Sequence, residues 1–145
     1  MRLLLSISDL VLKANLTVGT AASAGVVLLT ASNFTNVRST LTVNTGTLRA
    51  GGPTVFLDYT SGAATTINAG ATLDPNGYSG DIGNLQGPGQ VTTGGTAATV
   101  LTLERGNFAG SISGPGASNV DSGNSIILTG ANTYTGPTTL SRGTL

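Results

Sequence analysis

The sequence predicts an all-β chain wound as a solenoid, and three observations carry that prediction. Of 145 residues, 22 are Gly, and there are only three Phe, three Tyr and no Trp, His or Cys. Related segments recur along the chain at the size of one solenoid coil. Apolar residues alternate over short windows, as in Leu41 and Val43, Val55 and Leu57, Leu101 and Leu103, and Ile126 and Leu128. Period two over four or five residues describes a strand with one buried face.

Composition supports each part of this. Thr and Val favour strands, while Gly and Asn supply the positive φ angles of tight turns. A core without large aromatics must be built from Leu, Ile, Val and Ala, which suits a thin layered interior. The length suits one domain, residues 1–145. Low charge (8%) with positive mean hydropathy separates the chain from disordered sequences. Lys13 and the five Arg are scattered singly, so no nucleic-acid footprint is expected. The absence of Cys removes a disulfide framework, which a stack stabilised coil by coil does not require.

At the N-terminus, Arg2 precedes an apolar run, but Asp9 and Lys13 interrupt it. An ordinary strand pair is expected there. No stretch approaches the roughly 18 apolar residues of a membrane span. Direct membrane insertion is not expected, and any export signal or anchor is expected on sequence outside this chain.

Four related segments run from Leu through a polar turn to Asn and an aromatic. They are Leu29 to Asn36 with Asn33 and Phe34, Leu73 to Gly80 with Asn76 and Tyr78, Leu103 to Gly110 with Asn107 and Phe108, and Leu128 to Gly136 with Asn132 and Tyr134. A second unit alternates with them: Leu41 to Leu48, Thr66 to Leu73, and Thr139 to Leu145 around Gly143. Between the strands lie Gly51-Gly-Pro53, Asp74-Pro75-Asn-Gly77, Gly87-Pro-Gly89, Gly94-Gly95, Gly114-Pro-Gly116 and Gly136-Pro137. Each is a turn by the backbone preferences of Pro and Gly, and none reads as a domain linker. No window carries a capped helical stripe, so helix content is expected near zero.

The run from Gly123 through Asn132-Thr-Tyr134-Thr-Gly136 to Gly143-Thr-Leu145 resembles the autotransporter-associated β-strand repeat of type V secreted passenger regions. Residues 94–116 resemble a second copy and residues 66–95 a looser third. Residues 66–145 therefore carry recognisable repeats, and residues 1–60 degenerate ones. The resemblance implies a right-handed parallel β-helix displayed on the bacterial cell surface or released, after export through a C-terminal translocator barrel. It implies that the partners are the rest of the passenger and that barrel. This chain lacks the amphipathic segments of such a barrel. It stops where the family motif would continue, so a fragment is expected.

In such a helix equivalent residues of successive coils stack about 4.8 Å apart. The aromatics at 34, 78, 108 and 134 are expected near one corner. Asn33, Asn107 and Asn132 are expected at turns, pairing with an Asn above or with local backbone. These residues, with Asn76, Gly136 and Gly143, are taken as structural repeat positions rather than a binding stripe. Coils of roughly 20 to 24 residues give about six or seven turns and a rod on the order of 30 Å. Uncapped ends and near-zero net charge favour self-association.

Chemistry is sparse. Without Cys or His, zinc sites and Ser-His-Asp triads are excluded. Calcium-loop and phosphate-loop motifs are absent, so no cofactor is expected. Carboxylate pairs are the remaining enzymatic route, with Asp58, Asp74, Asp81, Glu104 and Asp121 as candidates. Asp74 and Asp121 sit in turn-rich text, where Asp caps backbone. Asn15-Leu-Thr17 and Asn33-Phe-Thr35 match the glycosylation acceptor, as an Asn- and Thr-rich chain does by chance. The expected function is a structural or adhesive stalk without catalysis, with a host surface or a second copy as contact. The alternatives are a carbohydrate-active β-helix, which needs clustered carboxylates in a groove, and a phage-type tail fibre, which needs a three-fold interface.

Overall fold

A computed structural model of the chain describes residues 3–5, 15–19, 25–29, 40–53 and 64–145. Among the described residues thirteen strands follow one another: β1 Leu3–Leu5, β2 Leu16–Val18, β3 Val26–Leu29, β4 Leu41–Val43, β5 Gly46–Ala50, β6 Ala64–Ile67, β7 Ala71–Asp74, β8 Gly80–Gly87, β9 Gln90–Thr92, β10 Val100–Phe108, β11 Ser111–Ser113, β12 Ala117–Leu128 and β13 Thr138–Thr144. No helix occurs among the described residues.

Odd strands from β1 to β11 form a six-stranded sheet, and β2 to β12 with β13 form a seven-stranded one. Every pairing is parallel. Alternate strands of one chain paired in parallel require a winding backbone, so the fold is a β-solenoid. The five steps between the strands of the smaller sheet make about five turns. This is slightly fewer than the six or seven expected, because several coils are longer: Leu3 pairs with Val27, and Leu48 with Leu73, 24 and 25 residues apart.

The core is a set of aliphatic columns. In the larger sheet Leu16, Leu41, Thr65, Leu85, Gly106 and Ile126 share one column by successive pairings. Val18, Val43 and Ile67 open a second, which continues through Gly87 and Phe108 to Leu128. The smaller sheet contributes Val27, Leu48, Leu73, Val91 and Ile112. Leu48, Leu73, Val91 and Ile112 are buried. Strands of three to five residues with inward Leu, Ile and Val bury one face and leave Thr and Ser outside, which is the alternation read from the sequence.

One corner of the coil explains how the stack closes. Main-chain bonds from Asn44 N to Val18 O (2.8 Å), Asn68 N to Val43 O (2.9 Å) and Gly89 N to Ile67 O (2.8 Å) put these residues in a single column. The Asn68 amide donates to Asn44 Oδ1 at 2.7 Å. Further along, Gly89, Gly110 and Gly130 replace the side-chain ladder with direct backbone contact. A Cβ on Gly110 would stand 1.9 Å from Gly89 O, and one on Gly130 1.7 Å from Gly110 O.

The described repeat positions Tyr78, Phe108 and Tyr134 do not share one site. Tyr134 lies 26 residues beyond Phe108, but the coil step there is 20, with Phe108 paired to Leu128. Phe108 is therefore inside the larger sheet, whereas Tyr134 N-terminal neighbours pair onto β11 through Thr133 N to Ile112 O at 2.8 Å. Tyr78 is in the turn after β7, its N bonded to Pro75 O at 3.1 Å. The expectation of one aromatic corner is corrected accordingly: sequence similarity counts turn residues, but the ladder register is set where backbones stack. The Asn ladder also differs from the expected one, using Asn44 and Asn68. Asn107 lies exposed within β10 rather than at a turn. Asn33, Phe34, Asp58 and the second N-terminal strand lie outside the described residues.

Asn76 takes φ of 57° and its amide donates to Ala50 O at 3.0 Å. Asn132 is opposite Ile112, accepting its N–H at 2.9 Å and donating to Gly130 O at 3.1 Å. Gly136 lies against the Gly116 backbone, and Gly143 has φ of 89°.

Candidate functional site: a charged column on the outer sheet face

The parallel ladder converts coil spacing into proximity. On the larger sheet β8 carries Asp81 opposite Thr102, β10 carries Glu104, and β12 carries Asp121 one residue beyond the Leu103–Val120 pair. Asp121 is in turn opposite Arg142 of β13. Leu103 and Val120 face the core, so their alternating neighbours face outward. Glu104 and Asp121 therefore line one outer column, closed by the Arg142 guanidinium, and Asp81 stands on the same face in the column of Thr102, two residues along the strand.

The groups are not equivalent. Arg142 Nε donates to Asp121 Oδ1. That hydrogen bond, with the neighbouring positive charge, holds the Asp121 carboxyl below the ordinary range. Glu104 moves the other way: partial burial raises its pKa most, followed by the charge of Asp81, with Asp121 adding and Arg105 and Arg142 opposing. Neighbouring carboxylates with opposite shifts are the arrangement acid–base chemistry uses, although ion-pair ladders create it too.

The shift on Glu104 carries a sign for stability. A folded-state pKa above the ordinary 4.5 means that the stability tied to the neutral acid is complete below that value and is lost as pH rises through the folded one. Glu104→Gln is therefore expected to melt higher than the parent at pH 7 and level with it near pH 3.5. The gain stays below about 1 kcal/mol because the column faces solvent. Thermal melts at both pH values check this, and a lower melting point at pH 7 contradicts it.

Asp74 serves the backbone. It is buried, accepts Arg49 Nε at 2.6 Å and accepts Asn76 N at 2.8 Å, fixing the turn after β7. Both Arg partners escaped the sequence reading. The usable signal was spacing: Arg49 and Asp74 are 25 residues apart, and Asp121 and Arg142 are 21 apart, each one coil.

Among the described residues no group of three or more Asp, Glu, Cys or His is arranged to hold a metal ion. A groove of about 570 Å³ lies elsewhere. It lies past the end of β13 and is lined by Ser125, Ile126, Leu128, Tyr134, Thr144 and Leu145 among others, without a carboxylate. The charged column thus stands on an open face, and the apolar groove at the end of the stack. Compared with protein-family models, curated proteins and solved structures, the chain finds no match.

Proposed function

We propose that the chain is a structural or adhesive stalk segment of a surface-displayed bacterial autotransporter passenger, acting by shape and contact rather than by catalysis. The observation that supports this best is the single-chain parallel stack, whose aliphatic columns run from β2 to β12. Stability in such a stack comes from nearest-neighbour coils, so length can be added by repetition, which is what a spacer requires. The residues from Gly123 to Leu145 that resemble the passenger repeat add the secretion route.

Antibody raised against the purified chain tests the reading on intact cells that produce it. Surface labelling that disappears after external protease is the expected result. Labelling that needs permeabilised cells overturns surface display.

A second reading, a carbohydrate-active β-helix, is favoured by the gathering of Asp81, Glu104 and Asp121 on one outer face, with opposite shifts on the last two. It requires chain cleavage. New reducing ends or unsaturated uronate ends from a polysaccharide panel, lost in Glu104→Gln, would establish it over the stalk.

A further inference from the structure

Asn76 is the one asparagine of the chain that precedes a glycine. That pair carries chemistry of its own. The main-chain nitrogen of the following residue can attack the asparagine Cγ, forming a five-membered succinimide and releasing ammonia, and glycine, with no side chain beside its N–H, obstructs this least. Water then opens the ring at either carbonyl. The product is aspartate, or isoaspartate in which the backbone runs through the former side chain. Asn76 is exposed, so water reaches it.

The fold holds that reaction back. Asn76 and Gly77 have φ of 57° and 86°, and Tyr78 N–H donates to Pro75 O at 3.1 Å, which makes a type I′ turn with both residues at its centre. In such a turn the Gly77 nitrogen lies nearly opposite the Asn76 Cβ across the Cα–C bond, so Cγ cannot meet it. Three contacts lock the arrangement from within the turn and from the preceding coil. Asn76 N donates to Asp74 Oδ1 at 2.8 Å, Asp74 Oδ2 accepts Arg49 Nε at 2.6 Å, and Asn76 Nδ2 donates to Ala50 O at 3.0 Å. The following coil adds two more: Thr99 Oγ1 donates to Gly77 O at 3.0 Å, and a Cβ on Gly77 would stand 2.9 Å from Gly95 Cα. The attack therefore needs the turn to open between two coils that both hold it.

We propose that Asn76 is a self-modification site gated by the Asp74 clamp: the succinimide forms only while the turn is open, and its products keep the turn from closing as before. An acid at position 76 has no amide proton for Ala50 O, and isoaspartate adds a backbone carbon where Gly77 already lies against Gly95. Each event is irreversible, so modified chains record past openings of this coil. The inference is independent of surface display.

The test incubates the purified full chain in mildly alkaline buffer, folded or in urea, and maps its peptides by mass spectrometry for amide-to-acid conversion and for the paired aspartate and isoaspartate products. In urea Asn76 is expected to convert before any other asparagine. In the folded chain its conversion is expected to be at least about tenfold slower, since only the open fraction reacts. Asp74→Ala removes the clamp and should speed conversion in the folded chain several-fold, with circular dichroism matching the parent. Arg49→Ala serves the same purpose where Asp74→Ala does not fold. Asn76→Asp, one of the products, should melt below the parent. Equal rates folded and unfolded, another asparagine converting first in urea, a folded clamp variant no faster than the parent, or an Asn76→Asp chain as stable as the parent would each overturn the proposal.

Discussion

Phe108→Ala is expected to cost about 3 to 5 kcal/mol, the range for deleting a fully buried aromatic ring. Phe108 is 0% exposed. Its column neighbour on one side is Gly87, which offers no side chain, and on the other Leu128. The ring therefore fills room belonging to two coils, and the Phe108 Cζ reaches the Gly110 corner, 2.6 Å from where a Cβ on that glycine would stand. Gly87 carries no side chain that could move into the void. Denaturant melts should show the loss, with Phe108→Leu recovering most of it. A loss below about 1 kcal/mol would mean that the column is not packed as described.

The second large effect comes from adding atoms. Gly110→Ala places a methyl 1.9 Å from Gly89 O and 2.8 Å from its carbonyl carbon. Both are backbone atoms held by the ladder, since Gly110 N and Ser111 N bond Gly87 O and Gly89 O, each at 3.1 Å. Relief therefore requires the coils to separate, which breaks several hydrogen bonds together. The expected cost is about 3 kcal/mol, at the upper end for overpacking. Gly123→Ala is the internal control, because nothing lies within 4 Å of its added Cβ. It should be neutral or slightly stabilising, since Ala lowers the entropy of the unfolded chain, and equal losses at Gly110 and Gly123 would show that the contact with Gly89 is not the cause.

These two sites mark how far the residues alone carry the fold. Alternation of Leu, Val and Ile with Thr and Ser predicted short one-faced strands, and the described strands follow it from Leu41 and Val43 to Leu101 and Leu103. Recurrence near coil length predicted a solenoid. The coil register was not legible, because motif similarity between Asn107-Phe108 and Asn132-Thr-Tyr134 spans more residues than the ladder step does. A motif counts every residue around a coil. A ladder counts only those whose backbones meet.

The same distinction governs the charged column. That Asp81, Glu104 and Asp121 were the available carboxylates was plain from the sequence, and so was the absence of His and Cys. Their gathering on one outer face, and the seating of Arg142 on Asp121, depend on strand pairings between residues about 20 apart. Local preference determined the all-β character, the turns and the aliphatic interior, because strand and turn propensities act within a few residues. Only the tertiary structure decided the register and the corner at which Asn44 and Asn68 give way to Gly89, Gly110 and Gly130. Those follow from how closely neighbouring backbones can approach, which is a property of coils in contact and not of any single segment.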